Sequence, residues 1–161
     1  KVLEIVNKLN SNSIPTILRV VGVPQEKLPK SKYIKNLGFI DKKENMEKYI
    51  LEIQSWHFGT LFSKAEAYGL SNRDCLYLGV PIICHDVGGI RSTLPTKSFE
   101  YGRIFKPFQT SQVIANWITD ITSNYSLYIH LRNQINENNV NFSWEPTIKK
   151  MFECISLIEN K

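Results

Sequence analysis

The chain has 161 residues, of which 42% are hydrophobic and 22% are charged, and its formal net charge is +5. This composition is typical of a soluble globular protein with one substantial core, and no apolar run approaches the roughly 18 residues of a membrane span. The positive charge suits an anionic ligand, but the lysines are scattered and no nucleic-acid-binding motif is present. We therefore expect no nucleic-acid partner.

The first half of the chain predicts two helices and two strands. Apolar residues at steps of three predict a short helix over residues 2–9. An apolar, β-prone run predicts a strand over 17–23, and a second short apolar run covers 35–40. Residues 45–55 place Tyr49 and other apolar residues on one face, which is typical of an amphipathic helix.

The central stretch predicts a strand, a turn, a helix, a second strand and a glycine turn. β-prone residues fill 57–63, and a turn leads into a helix over 71–78 that Gly79 closes. Residues 80–84 are an apolar run of strand length, and two glycines follow it.

The last third predicts a strand over 102–105, helices over 111–121 and 124–139, and a final helix capped by Ser143. Strands that alternate with helices predict an α/β domain with a mostly parallel sheet, here of five strands. Because a helix comes first, we expect a further strand upstream of residue 1.

The three cysteines, Cys75, Cys84 and Cys154, are an odd number without the pair spacing of a metal site. We interpret them as reduced residues of a cytosolic protein. The first ten residues do not predict a signal peptide, because their apolar stretch is short and Glu4 interrupts it. The expected location is therefore cytoplasmic.

Glu66, Asp86 and the start of the helix at Ser71 fall at the carboxyl ends of the predicted parallel strands, the edge where such units bind ligands. Glu66 in the turn and Asp74 one turn into the helix can face one crevice, where both carboxylates accept hydrogen bonds from the vicinal hydroxyls of a sugar or ribose. Between them, the backbone from Tyr68 to Ser71 leads into a helix whose free N–H groups can hold a phosphate. Together these features predict a site for a nucleoside diphosphate sugar.

Each feature also has a purely structural interpretation. Ser71 and Asp74 have nearly the spacing of a capping box, in which the Asp74 side chain bonds back to the Ser71 N–H. Glu66 could be a solvated turn carboxylate, and the two glycines a plain turn. His85 could be a half-buried residue at a strand end rather than a catalytic group.

The segment K-A-E-A-Y-G-L-S-N-R-D-C-L-Y-L-G-V-P-I-I-C-H-D-V-G-G-I resembles the signature of the family 4 (group 1) glycosyltransferases, which have the GT-B fold. The segments L-R-V-V-G, N-L-G-F-I, G-R-I-F-K-P and F-S-W-E also resemble that family, so the likeness covers nearly the whole chain. It implies a Rossmann-like three-layer domain, with residues 1–161 as a single donor-binding domain. The N-terminal acceptor-binding domain and the first strand would lie outside these residues.

The resemblance also implies roles for individual residues. Glu66 would contact the hydroxyls of the donor sugar and is the candidate catalytic residue, while Asp74 would bind the ribose hydroxyls. The other donor-binding candidates are Tyr68, Gly69 and Leu70 facing the sugar and phosphates, Ser71 at the phosphate end of the helix, Gly22, Phe39 and Ile40 near the base, and Gly88 and Gly89 beneath the cleft. No metal or cofactor is expected, because a helix terminus and basic side chains would stabilise the departing diphosphate.

Several positions depart from the family pattern. Asp74 stands in place of the usual Glu and is one methylene shorter, Cys75 replaces Ala, and Ser92 replaces an acidic residue. The basic pair that grips the diphosphate would lie upstream of Lys1.

The expected function is donor binding for a retaining, metal-independent glycosyl transfer to a glycan or lipid-linked acceptor, in bacterial polysaccharide biosynthesis. The expected partners are the nucleoside diphosphate sugar and the enzyme's own N-terminal domain, and peripheral association of the full-length enzyme with the inner face of the membrane is left open. The isolated chain is expected to be inactive. Two alternatives remain open: a degenerate GT-B half that acts only as an interaction module, and one half of a sugar-nucleotide epimerase. A nicotinamide-dependent dehydrogenase is disfavoured, since no G-x-G-x-x-G follows a strand.

Overall fold

A computed structural model describes residues 1–93, 101–138 and 145–159. The helices in these ranges are α1 (Val2–Ser11), α2 (Met46–Gln54), α3 (Leu70–Tyr77), α4 (Ile90–Thr93), α5 (Ser111–Ser123), α6 (Tyr125–Glu137) and α7 (Glu145–Glu159). The strands are β1 (Leu18–Val20), β2 (Ile34–Asn36), β3 (Gly59–Leu61), β4 (Ile82–His85) and β5 (Gly102–Phe105). The predicted helices and strands are all present in this order, and the predicted cap Ser143 lies outside the described residues.

Every strand pair in the described ranges is parallel, which confirms the predicted sheet type. β1 pairs with β2, and β3, β4 and β5 form a second sheet in that order. In the larger sheet, Gly59 lies opposite Ile82, and Ile82 lies opposite Gly102. The five strands therefore form two hydrogen-bonded sheets rather than the single sheet that the sequence predicts.

The strands before the central helix are shorter than predicted. β1 ends at Val20 because the chain turns at Gly22, which has a φ of 79°. This left-handed conformation favours glycine and cannot continue a strand. Gly38 follows β2 and likewise has a positive φ, of 67°.

Two hydrophobic clusters cover the two faces of the larger sheet. Ile82 and Cys84 of β4 pack with α3 and α6 in one cluster, and the alternate residue Ile83 packs with α1 and α5 in the other. Successive side chains of a strand point to opposite faces, so a fully apolar strand predicts burial on both sides. The result is the three-layer α/β domain that the sequence predicts.

Cys75 and Cys84 are buried free thiols. Burial raises the pKa of each to about 12, so both stay protonated at neutral pH. Cys154 lies within α7. Three apolar side chains of α7, Ile148, Met151 and Phe152, are 48%, 60% and 69% exposed.

Candidate functional site

Two loops that follow neighbouring parallel strands meet at the carboxyl edge of the larger sheet. The loop from β3 to α3 contains Glu66, and the turn from β4 to α4 contains Gly88 and Gly89. The N–H of Gly89 donates to the carbonyl of Glu66 at 3.0 Å. The structure therefore places Glu66 and the glycine turn together, at the edge where parallel sheets bind ligands.

The two glycines leave room for the backbone of the Glu66 loop. A Cβ on Gly88 would lie 1.8 Å from the carbonyl oxygen of Glu66, and one on Gly89 would lie 1.9 Å from that of Ala67. Gly88 also has a φ of 52°, which favours glycine. Any larger residue would push the loop outward, so the pair determines where Glu66 lies.

The half-buried side chain of Glu66 lies at the N-terminus of α3. Its Oε1 accepts from the N–H of Gly69 at 3.3 Å, and its Oε2 accepts from the hydroxyl of Ser63 at 3.4 Å. Both distances are long for hydrogen bonds. The carboxylate is therefore held weakly and keeps acceptor capacity for the hydroxyls of a ligand.

Helix α3 begins directly after Gly69, which has a φ of 75° and caps the helix without a side-chain hydrogen bond. The capping-box interpretation of Ser71 and Asp74 is therefore wrong. No described group accepts a hydrogen bond from the N–H of Leu70 or Ser71. Two free N–H groups at the positive end of a helix dipole are suited to bind a phosphate.

Tyr68 is attached to the first turn of α3 through Arg73. The Arg73 guanidinium donates to the Tyr68 hydroxyl and lies 5.7 Å from the centroid of the ring. Arg73 itself is only 8% exposed. This contact holds the Tyr68 side chain against the first turn of α3, next to the predicted donor-binding segment.

Asp74 lies one turn further along α3 and contacts a different set of side chains. Its Oδ2 accepts from Lys42 Nζ at 2.6 Å and from the Tyr49 hydroxyl at 2.7 Å. Burial and the hydrogen bond to Asp74 raise the pKa of Tyr49, so its hydroxyl remains a donor at neutral pH. Among the described residues, no hydrogen bond joins Asp74 to Glu66. The two carboxylates are connected only through the backbone at the start of α3.

Lys42 and Tyr49 are not among the site residues predicted from the sequence. Tyr49 belongs to the predicted apolar face of α2, and a buried tyrosine hydroxyl usually requires a polar partner. That requirement is the one signal that could have indicated a contact. Lys42 follows the predicted base-binding residue Ile40 by two positions but carries no distinguishing pattern.

The candidate base-binding residues lie where β1 and β2 end. The N–H of Gly22 donates to the carbonyl of Gly38 at 2.8 Å, and a Cβ on Gly22 would meet nothing within 4 Å. Phe39 is 82% exposed, whereas Ile40 is buried. An open glycine turn beside an exposed aromatic ring offers a flat surface for a base.

An ionic cluster lies at the end of β4. Asp86 accepts hydrogen bonds from Arg91 Nε at 2.7 Å and Nη2 at 2.6 Å, and from Lys106 Nζ at 2.7 Å. These two cations hold the pKa of Asp86 down at about 2. Neither cation is predicted from the sequence. Lys106 follows a different strand, β5, so no spacing in the sequence links it to Asp86.

His85 is buried between the ends of β3 and β4. Its Nδ1 lies 3.4 Å from the Ser63 carbonyl, and its ring contacts the Phe62 ring edge to face at 4.8 Å between centroids. Burial lowers the pKa of His85, so the imidazole is neutral at pH 7. His85 thus packs as a residue at a strand end.

Within the described ranges, no group of three or more His, Cys, Asp or Glu side chains could hold a metal ion. None of the helices there combines the length and the apolar character needed to cross a membrane.

No protein-family model matches the chain, and no curated protein does either. Solved structures do. A pneumococcal O-GlcNAc transferase, GtfA, in complex with UDP and GlcNAc superposes with a TM-score of 0.73 at 14% identity, over 99% of this chain and 33% of that one. Sucrose-phosphate synthase from Thermosynechococcus elongatus superposes with a TM-score of 0.68 at 19% identity, over 98% of this chain and 34% of the synthase. The C-terminal domain of a group 1 glycosyl transferase (LpcC) from Francisella tularensis superposes with a TM-score of 0.54 at 16% identity, over 88% of this chain and 60% of that domain.

These similarities define the fold. The chain has the Rossmann-like α/β architecture of a GT-B glycosyltransferase domain. It spans about a third of the length of the first two structures, 34% of the synthase and 33% of the transferase.

Proposed function

We propose that this chain binds a nucleoside diphosphate sugar as the donor-binding domain of a glycosyltransferase. The observation that supports it best is the start of α3, where the N–H groups of Leu70 and Ser71 are free and Glu66 lies beside them. A diphosphate would bind at these N–H groups, and the weakly held Glu66 carboxylate would accept hydrogen bonds from the sugar. The similar pneumococcal transferase GtfA, which is in complex with UDP and GlcNAc, supports the same ligand class.

In this proposal Asp74 receives the ribose, and the base lies on the loops after β1 and β2. The direct bond between Lys42 of the β2 loop and Asp74 places these two regions side by side. Gly22 and the exposed ring of Phe39 then line the base-binding end, with Ile40 beneath them. The Gly88-Gly89 turn supports the Glu66 loop from below.

The transfer itself is proposed to be retaining and metal-independent, with a glycan or lipid-linked acceptor. The acceptor would bind to an N-terminal domain of the same protein, so the isolated chain is not expected to turn over. Departing diphosphate charge would be stabilised by the N-terminus of α3 and by basic groups rather than by a metal ion. A cytoplasmic location in a bacterium, at the inner face of the membrane, belongs to the same proposal.

A matched pair of substitutions tests the donor site in the full-length protein. Asp74→Asn is expected to lower the affinity for both UDP and UDP-glucose by at least about tenfold, because a hydrogen bond to a charged group is lost. Glu66→Gln is expected to lower the affinity for UDP-glucose by a similar factor and to leave the affinity for UDP unchanged, since Glu66 would contact only the sugar. Titration calorimetry measures both, with ADP and GDP and their glucose conjugates as further probes.

Glu44→Gln is the control, because Glu44 is an exposed carboxylate in the loop between β2 and α2, which also carries Lys42. The assigned roles are wrong if both site variants bind every nucleotide as tightly as the wild type.

The interaction module stays a second candidate, because Asp74 already has two protein partners. A protein that binds none of the nucleotides or nucleotide sugars would favour that module.

A further inference from the structure

Three charged side chains near the ends of β4 and β5 form a cluster with two cations and one anion. Arg91 and Lys106 both pair with the carboxylate of Asp86, and no second carboxylate among the described residues pairs with either cation. The Asp86 side chain is only 12% exposed, whereas those of Arg91 and Lys106 are 66% and 54% exposed. The cluster therefore presents its cations, rather than its acid, to a ligand.

Both cations keep N–H groups that no described residue occupies. A guanidinium has five N–H groups, and Arg91 uses two of them on Asp86, through Nε and Nη2. An ammonium has three, and Lys106 uses one. Because the two bonds from Arg91 reach different oxygens of Asp86, they hold the plane of the guanidinium in one orientation. A planar guanidinium with free N–H groups is well suited to bind a second carboxylate.

The cluster lies beside Glu66, the residue proposed to contact the donor sugar. Asp86 directly follows His85, whose Nδ1 lies 3.4 Å from the Ser63 carbonyl, and the Ser63 hydroxyl donates to Glu66 Oε2 at 3.4 Å. Three residues after Asp86, the N–H of Gly89 donates to the Glu66 carbonyl at 3.0 Å. Contacts with the Glu66 loop thus flank Asp86 on both sides in the chain, which places the cluster at the sugar end of the proposed site.

A departure from the family pattern leaves the cluster cationic. Ser92, directly after Arg91, stands where the pattern that the sequence resembles has an acidic residue. The Ser92 hydroxyl donates back to the carbonyl of Gly89. A carboxylate at this position would bring a second negative charge close to the two cations, whereas serine adds none.

We propose that Arg91 and Lys106 bind an acidic group on the donor sugar, so that the preferred donors are nucleoside diphosphate uronic acids. This inference rests on the proposed donor-binding function and names its substrate class. The two cations pair with the sugar carboxylate while the N-terminus of α3 holds the diphosphate, so each negative group of the donor has its own partners.

Two pairs of donors test this in the full-length protein by titration calorimetry: UDP-glucose with UDP-glucuronate, and GDP-mannose with GDP-mannuronate. The members of a pair differ only at C6 of the sugar, where a carboxylate replaces a hydroxymethyl group. In the pair that it binds, the wild type is expected to favour the uronate by at least about threefold, since each exposed ion pair contributes a small factor and there are two.

The double variant Arg91→Gln/Lys106→Gln is expected to bind the two members of the pair about equally. Lys106→Gln alone, which keeps the pair between Arg91 and Asp86, is expected to give an intermediate ratio. The control is Lys43→Gln/Lys48→Gln, which removes two exposed lysines from α2 and the loop before it. This control changes the net charge by the same amount and should keep the wild-type ratio.

A wild-type preference below about threefold overturns the inference and leaves the donor-binding function intact. That result is also expected if the cations bind an acidic acceptor instead of the donor. A preference that persists unchanged in Lys106→Gln and in the double variant likewise overturns it, and thermal unfolding of each variant shows whether the protein is folded. A wild type that binds none of the nucleotides or nucleotide sugars overturns the donor-binding function and this inference with it.

Discussion

The carboxylate of Asp86 lies between two cations, Arg91 and Lys106, at the end of β4. Its pKa in the folded chain is about 2, below the value of about 3.9 for an unfolded aspartate. A group with a depressed folded pKa stabilises the native state above its unfolded pKa, and this stability is lost as the pH falls toward the folded pKa. The contribution is therefore complete at pH 6, and it is lost progressively as the pH falls from about 4 through about 2.

Asp86→Asn is expected to lower the free energy of unfolding at pH 6 by about 1 kcal/mol, because both cationic partners are more than half exposed and are screened by solvent. At pH 2 the difference should be much smaller, since the wild-type carboxylate is then about half protonated in the folded chain and almost fully protonated in the unfolded chain. Urea unfolding at the two pH values measures the difference. The control is Asp120→Asn, an exposed carboxylate on α5, which should differ little from the wild type at either pH. Equal losses for Asp86→Asn at pH 6 and pH 2 would contradict the assignment.

Helix α3 lies close against β3 because Gly59 has no side chain. A Cβ on Gly59 would lie 2.5 Å from Cys75 Sγ and 3.0 Å from Cys75 Cβ. Cys75 departs from the Ala of the family pattern that the sequence resembles. The structure supplies the physical reason that it is tolerated, since the glycine opposite provides the space for the larger thiol.

Gly59→Ala is expected to lower the free energy of unfolding by about 1–3 kcal/mol through overpacking. When Cys75→Ala is added, the double variant should lose less than the sum of the two single losses, because the smaller residue relieves the contact. Chemical denaturation of the four chains gives the coupling energy. Strict additivity would show that the two residues do not limit the approach of α3 to β3.

The order and type of the elements could be predicted from the sequence, because apolar periodicity is a local signal. The ends of the strands could not, since they depend on glycine conformations and on pairing. Residues 57–63 read as one β-prone run, yet only Gly59–Leu61 pairs with β4. The division into two sheets likewise depends on which strands find hydrogen-bond partners, which periodicity does not encode.

The same distinction separates the parts of the candidate site. Glu66, Gly69 and the glycine pair follow one another in a short stretch, so their spacing can be recognised in the sequence. The partners of Asp74 are not, because Tyr49 and Lys42 precede it by 25 and 32 residues and reach it only through packing of α2 and its loop.

For the whole molecule, the candidate site connects the two sheets. Arg19 of β1 is paired with Glu52 of α2 at 2.6 Å, and α2 packs through Ile53 into the core of the larger sheet. The Lys42–Asp74 pair makes a second connection between them. A nucleotide bound across the loops of both sheets would contact only the native arrangement, because unfolding separates these loops.

A ligand that binds only the native state stabilises it by mass action. At a UDP concentration of 100 times Kd the gain is about 2.7 kcal/mol, which for a chain of this size corresponds to a rise in Tm of about 5–10 °C. In Asp74→Asn, a tenfold weaker Kd reduces the gain at the same concentration to about 1.4 kcal/mol, so the rise in Tm should fall to about half. Differential scanning calorimetry of the two chains, with and without UDP, measures both values. Equal shifts in the wild type and the variant would show that UDP stabilises the fold without contacting Asp74, and would separate nucleotide binding from the junction between the two sheets.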